Sequence, residues 1–153
     1  MRSPSKEKPH PLWIVLSRRW GGSEQVAISD ITELVNSGVD VNLLCITDSP
    51  VHVAALRLQR IKIIALAPDQ VSLNKLNWSF VRILRGHIVD SYCNIIHTND
   101  EKLLWALNLA CNGFFRLVFF RSIKRRVSLI ASRNIPVDHW SVRELLHSLL
   151  LRN

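Results

Sequence analysis

The order of apolar and polar positions along the chain alternates between two periods. Residues 12–16 (LWIVL) form a short continuous apolar run bounded by Pro11 and by Ser17-Arg18-Arg19, which fits a strand buried on both faces. Trp20-Gly21-Gly22-Ser23 interrupts it, and from Glu24 a helical period begins that places Ala27, Ile31, Leu34 and Val35 on one face. Ser23 is a candidate N-cap for that helix, and Gly38 is placed to end it. Residues 39–47 then read as a second strand. A strand, a glycine-bearing turn, a helix and a strand within about 35 residues has the length of a βαβ unit.

The rhythm continues downstream. Residues 61–66 are a β-branched run; Leu76, Phe80, Ile83 and Leu84 recur at helical spacing, with Gly86 expected to close the segment. Residues 93–97 predict a fourth strand, 102–112 a helix with Gly113 just beyond it, and 115–120 a fifth strand. After a basic stretch, Ser141-Val142-Arg143-Glu144 resembles a capping box that opens a leucine-rich final helix. Strands alternating with helices predict an α/β fold, a Rossmann-like three-layer domain with a parallel sheet and helices on both faces. Trp13, Val15, Val41 and Leu43 are the expected core of that sheet. The polar, proline-rich residues 1–11 read as a disordered lead-in, leaving 12–153 as the domain.

Composition narrows the function classes. No apolar run approaches the roughly 18 residues of a membrane span, and the five-residue run at 12–16 is short for a signal-peptide core. Cys45, Cys93 and Cys111 are widely spaced and show neither a disulfide framework nor zinc-ligand spacing, which favours reduced, buried thiols and a cytoplasmic location. The histidines have no metal-ligand spacing either, so no metal is expected. Twenty Lys and Arg against twelve Asp and Glu give a net charge of +8, which points to an anionic partner. Arg116, Arg121, Lys124, Arg125, Arg126 and Arg133 are the densest basic cluster, with no acid between Glu101 and Asp138. Aromatics are not interleaved among these residues, and no recognition-helix motif appears, which argues against nucleic acid.

Ligands of open parallel sheets bind at the carboxyl ends of the strands. The polar residues of this chain gather in the segments expected there: 18–23, 47–50, 97–100 and 121–126. Gly21-Gly22 precedes a helix start, where free N–H groups and the helix dipole favour a phosphate; it reads equally as a simple tight turn. The spacing is not the GxGxxG of dinucleotide-binding folds. His97, at a strand end, suits ligand contact or acid–base work, or serves as a structural hydrogen-bonder with Asn99 or Asp100 capping the next helix. Glu24 suits a sugar hydroxyl or a basic neighbour, and equally the first turn of its own helix.

The strand followed by Trp20-Gly21-Gly22-Ser23-Glu24, and then by a helix ending at Ser37-Gly38-Val39-Asp40-Val41, resembles the start of glycosyltransferase family 4. Ile95-Ile96-His97-Thr98-Asn99-Asp100 is similar to that family's Ile-His-Thr-His segment, with Asn99 where many members carry the second histidine. The resemblance spans residues 12–130 and implies the N-terminal, acceptor-side domain of a two-domain GT-B enzyme. It implies Gly21 and Gly22 as donor diphosphate-binding residues, Glu24, Thr98 and Asn99 as acceptor-binding, and His97 and Arg121 as catalytic. The implied substrates are a nucleotide-sugar donor, taken as co-substrate without a further cofactor, and a glycan or lipid-linked acceptor. The family's acidic Glu-x7-Glu motif is absent, so the C-terminal donor-binding domain is expected on a further segment or partner chain, and this chain alone is expected to be inactive. The competing expectation is a non-catalytic Rossmann-like module whose basic face makes peripheral contact with an anionic membrane or docks on an acidic protein.

Overall fold

A computed structural model describes residues 8–73, 77–111 and 128–131. Five strands form one sheet: β1 (Pro11–Val15), β2 (Val41–Ile46), β3 (Ile61–Leu66), β4 (Ile95–Thr98) and β5 (Ser128–Ala131). Their order is β3-β2-β1-β4-β5, with every pairing parallel. Among the described residues four α-helices accompany them: α1 (Gly22–Asn36), α2 (Pro50–Ala55), α3 (Trp78–Asp90) and α4 (Leu104–Cys111). The chain is therefore a doubly wound, Rossmann-like α/β fold, as the alternating periods predict.

The period-2 geometry of the strands sorts the core into two layers. Trp13, Val15, Val41, Leu43 and Cys45 pack with Ala27, Ile31, Leu34 and Val35 of α1 and with Val51 and Ala55 of α2. Leu12, Ile14, Leu44, Ile46 and Ile96 pack on the opposite face with α3 and α4. Trp13, Val15, Val41 and Leu43 are all buried, as expected for a sheet covered on both sides. No helix among the described residues is long and apolar enough to cross a membrane.

Gly38 does end α1. Its N–H donates to Val35 O, and Val39 N–H donates to Leu34 O, each at 3.0 Å, which is a complete Schellman closure. The closure needs the left-handed backbone that Gly38 adopts, with φ +85°. Gly38→Ala is expected to destabilise the chain by about 1 kcal/mol through that conformation alone. A urea titration checks it, and an unchanged midpoint would mean that the turn relaxes.

Two local expectations are corrected, and two elements are added to those expected. Ser23 is not the N-cap of α1: Gly21 holds that position without a side-chain bond, and the Ser23 hydroxyl donates instead to Glu24 Oε1 at 3.0 Å. Gly86 does not close the third helix. The four-residue spacing of Leu84 and Ile88, both buried, carries α3 through it to Asp90. That continuation offsets the roughly 1 kcal/mol that a mid-helix glycine costs. Tyr92, with φ +53°, takes the left-handed position after the helix. A short helix, α2, follows the loop after β2 in a segment for which no element is expected: Ser49 Oγ accepts from His52 N–H and Pro50 opens the first turn. Ser128–Ala131, in the basic stretch where no strand is expected, also pairs with β4 as β5. The expected strand at 115–120, Gly113, the final helix and all six residues of the basic cluster lie outside the described residues.

Candidate functional site at the carboxyl ends of β1 and β4

In the order β3-β2-β1-β4-β5 the chain reverses its winding direction between β1 and β4. A crevice is expected at such a reversal, because the loops leaving adjacent strands diverge to opposite faces. A cleft of about 660 Å³ lies there. Its walls come from the end of β1 and the following Ser17-Arg18-Arg19, from Ser23 and Glu24 of α1, and from Ile46. Val71 and Leu73 after β3, and Asn99, Asp100 and Lys102 after β4, complete it.

Two hydrogen bonds set the walls. Asn99 Nδ2 donates to Ser23 O at 3.1 Å, tying the loop after β4 to the first turn of α1. Arg18 Nη2 donates to Pro68 O at 2.8 Å, tying the loop after β1 to the one after β3. The first bond of α1 runs from Gln25 N–H to Gly21 O at 3.1 Å, so the N–H groups of Gly22, Ser23 and Glu24 precede the helical ladder. A Cβ placed on Gly22 would meet nothing within 4 Å, so the space over this turn is open. A Cβ on Gly21 would come within 3.0 Å of Glu24 Oε2, which shows that the carboxylate folds back toward the helix start.

The predicted site residues separate into groups. Glu24 and Asn99 line the cleft, whereas Gly21 and Gly22, which lead into Ser23, are not part of its lining. Thr98 is fully buried, and its hydroxyl accepts from Asp100 N–H at 3.2 Å. Asp100 is the cap of the next helical segment, since its Oδ1 accepts from Lys102 N–H at 2.9 Å. Arg121 lies outside the described residues. His97 does not line the cleft. It pairs in register with Trp13, and the two ring centroids are 3.7 Å apart at a 34° tilt. Its Nδ1 is buried without a hydrogen-bond partner among the described residues, and burial pushes its pKa down from 6.5 to about 4. The ring is thus neutral at pH 7 and offers a hydrogen bond rather than a charge.

Sequence reasoning singled out neither Arg18 and Arg19 as individual ligands nor Val71, Leu73 and Lys102. The adjacent arginines directly after β1 are the signal that was available. Val71 and Leu73 carry none, because only the fold brings the loop after β3 alongside β1. Among the described residues no group of three or more His, Cys, Asp or Glu is arranged to hold a metal ion.

No protein-family model matches the chain, and no curated protein matches it in sequence. Among solved structures it is similar to a glycosyltransferase from Rickettsia africae ESF-5, with a TM-score of 0.57 and 18% sequence identity. The match covers 95% of this chain and 35% of that protein, so the chain spans about a third of its neighbour's length. At that identity the likeness is one of fold.

Proposed function

We propose that this chain forms the acceptor-side wall of a glycosyltransferase cleft, in the manner of family 4 and the GT-B fold, and transfers a sugar when a donor-binding half closes over it. The observation that carries the reading is the cleft at the β1/β4 reversal. There the Gly-Gly-Ser-Glu turn and the segment after His97 are joined by the Asn99–Ser23 hydrogen bond. These are the two segments on which the family resemblance rests, and the structural neighbour carries the name glycosyltransferase.

The chemistry follows from the parts. A departing nucleoside diphosphate needs its charge stabilised, and the open N–H groups at the start of α1 supply oriented donors at no cost in reorganisation. In this reading Gly21 and Gly22 admit the donor diphosphate. The Glu24 carboxylate accepts a hydrogen bond from an acceptor hydroxyl, and Asn99 holds the two walls at a fixed separation. His97 supports the sheet beneath the site through its contact with Trp13, and Arg121 is assigned to the developing charge on the resemblance alone. One wall cannot exclude water or orient two substrates, and those effects supply much of the rate.

Release of nucleoside diphosphate from a panel of sugar nucleotides tests the proposal, with and without a compatible donor-binding half. Acceptor-dependent release is expected only with both halves. A reconstituted pair that binds a sugar nucleotide yet gives no acceptor-dependent release would overturn the assignment, as would efficient turnover by the isolated chain.

A further inference from the structure

The cleft joins two surfaces of opposite character, and their combination selects a class of ligand. One wall is hydrocarbon. Val71 and Leu73 pack against the core layer that contains Ile46, and all three line the cleft, so the apolar interior of the protein continues into its floor. The Arg18–Pro68 hydrogen bond pins the start of the loop that carries Val71 and Leu73. The other wall is cationic. Arg19 and Lys102 line the same space, and neither side chain makes an ion pair or hydrogen bond among the described residues. The two acids of the cleft are engaged locally, Glu24 by the Ser23 hydroxyl and Asp100 by the Lys102 N–H. Arg18, Arg19 and Lys102 outnumber Glu24 and Asp100, so net positive charge is offered to a ligand beside an apolar strip, in a volume typical of pockets that enclose small molecules.

We propose that the cleft binds an amphiphilic phosphate, with the phosphoryl head between Arg19 and Lys102 and the hydrocarbon tail along Ile46, Val71 and Leu73. The inference rests on the acceptor-side reading for its place in a reaction, where the ligand would be a lipid-linked acceptor; the binding itself requires no transfer. Neither half of such a ligand suffices. A bare phosphate leaves the apolar strip in water, and a neutral lipid leaves the cations unmatched.

The test is direct binding to the purified chain, below micellar concentrations, of four probes: farnesyl phosphate, decyl phosphate, farnesol and inorganic phosphate. At least one tailed phosphate is expected to bind ten-fold or more tightly than either farnesol or inorganic phosphate. Binding of both tailed probes identifies a general alkyl phosphate site, and binding of farnesyl phosphate alone identifies an isoprenoid one. Leu73→Asn is expected to weaken the tailed phosphates at least ten-fold and to leave inorganic phosphate unchanged. Arg19→Ala, at an exposed position where folding is not at risk, is expected to weaken the tailed phosphates and spare farnesol. Equal affinity for farnesol and farnesyl phosphate, or for phosphate with and without a tail, overturns the proposal. So does binding that neither variant affects. Tailed-phosphate binding without turnover in the reconstituted pair would leave this inference standing and remove the transferase reading; turnover on an acceptor without such binding would do the reverse.

Discussion

Between pH 6.5 and pH 4 the chain is expected to lose about 3 kcal/mol of stability through a single side chain, His97. Burial lowers its folded pKa from 6.5 to about 4, and the difference converts to that figure at 1.36 kcal/mol for each tenfold change in proton affinity. In this window the unfolded chain takes up a proton that the folded chain refuses. The stability is therefore present above pH 6.5 and lost as pH falls toward 4. His97→Leu removes the titrating group while keeping similar volume beside Trp13. At pH 7 the change is expected to be nearly neutral: deleting a buried, unpartnered Nδ1 gains about 1 kcal/mol or more, and the ring contact with Trp13 forfeits a similar amount. Near pH 4.5 the variant should then outlast the parent. Urea midpoints at pH 7 and pH 4.5 measure the difference, and an equal acid-induced loss in both proteins would show that His97 is not the cause.

Asp30 of α1 works against this trend. Burial, and then the neighbouring Glu33, push its carboxyl up from 3.8 to about 6. Its sign is opposite: the folded chain holds the proton more tightly, so the relative stability is full below pH 3.8 and lost as pH rises through 6. The group is half-buried, and solvent screening reduces its share to about 1 kcal/mol. Asp30→Asn is accordingly expected to stabilise the chain slightly at pH 7, with the benefit vanishing near pH 4. Measured in the Asp30→Asn background, the His97 effect appears undiminished.

The fold was largely legible because its strongest signals are periodic. Ala27, Ile31, Leu34 and Val35 recur at the helical period, and the run at 12–16 is apolar on both faces, so a helix and a central strand follow from spacing alone. Short elements escape this logic. α2 has six residues, fewer than two turns, and only its Ser49-Pro50 cap announces it. Gly86 misleads because a local propensity of about 1 kcal/mol is outweighed by the burial of Leu84 and Ile88 on either side of it. The site was legible in half. Glu24 and Asn99 meet in one cleft because strand ends in a parallel sheet all point the same way, while Gly21 and Gly22 stay outside its lining. The apolar strip of Val71 and Leu73 depends on β3 lying two strands from β1, a long-range arrangement that no local pattern encodes.

In a reconstituted pair with a donor-binding half, Gly22→Val is expected to reduce turnover by more than 10²-fold while leaving this chain folded. The two outcomes separate because of where Gly22 stands. It opens α1, its N–H precedes the helical ladder, and a Cβ there would meet no other element of the described residues within 4 Å. Nothing in the fold resists the added side chain, and a β-branched residue in the first turn costs only a few tenths of a kcal/mol. A phosphate needs that same open space, since a hydrogen bond from a backbone N–H requires approach to about 2.9 Å. An isopropyl group there holds the phosphate off and removes oriented donors of the kind whose loss costs about 10²–10³-fold in rate. In the isolated chain the same donors would hold only one end of a diphosphate, so binding is expected near millimolar, about −4 kcal/mol, and is also expected to be lost on substitution. Gly22→Ala, with a smaller side chain, should fall between. Nucleoside diphosphate release measures the rate, and thermal melting of each variant confirms the fold. Full turnover by the Gly22→Val pair would place the diphosphate elsewhere, because no rearrangement confined to this turn restores the space that the valine takes.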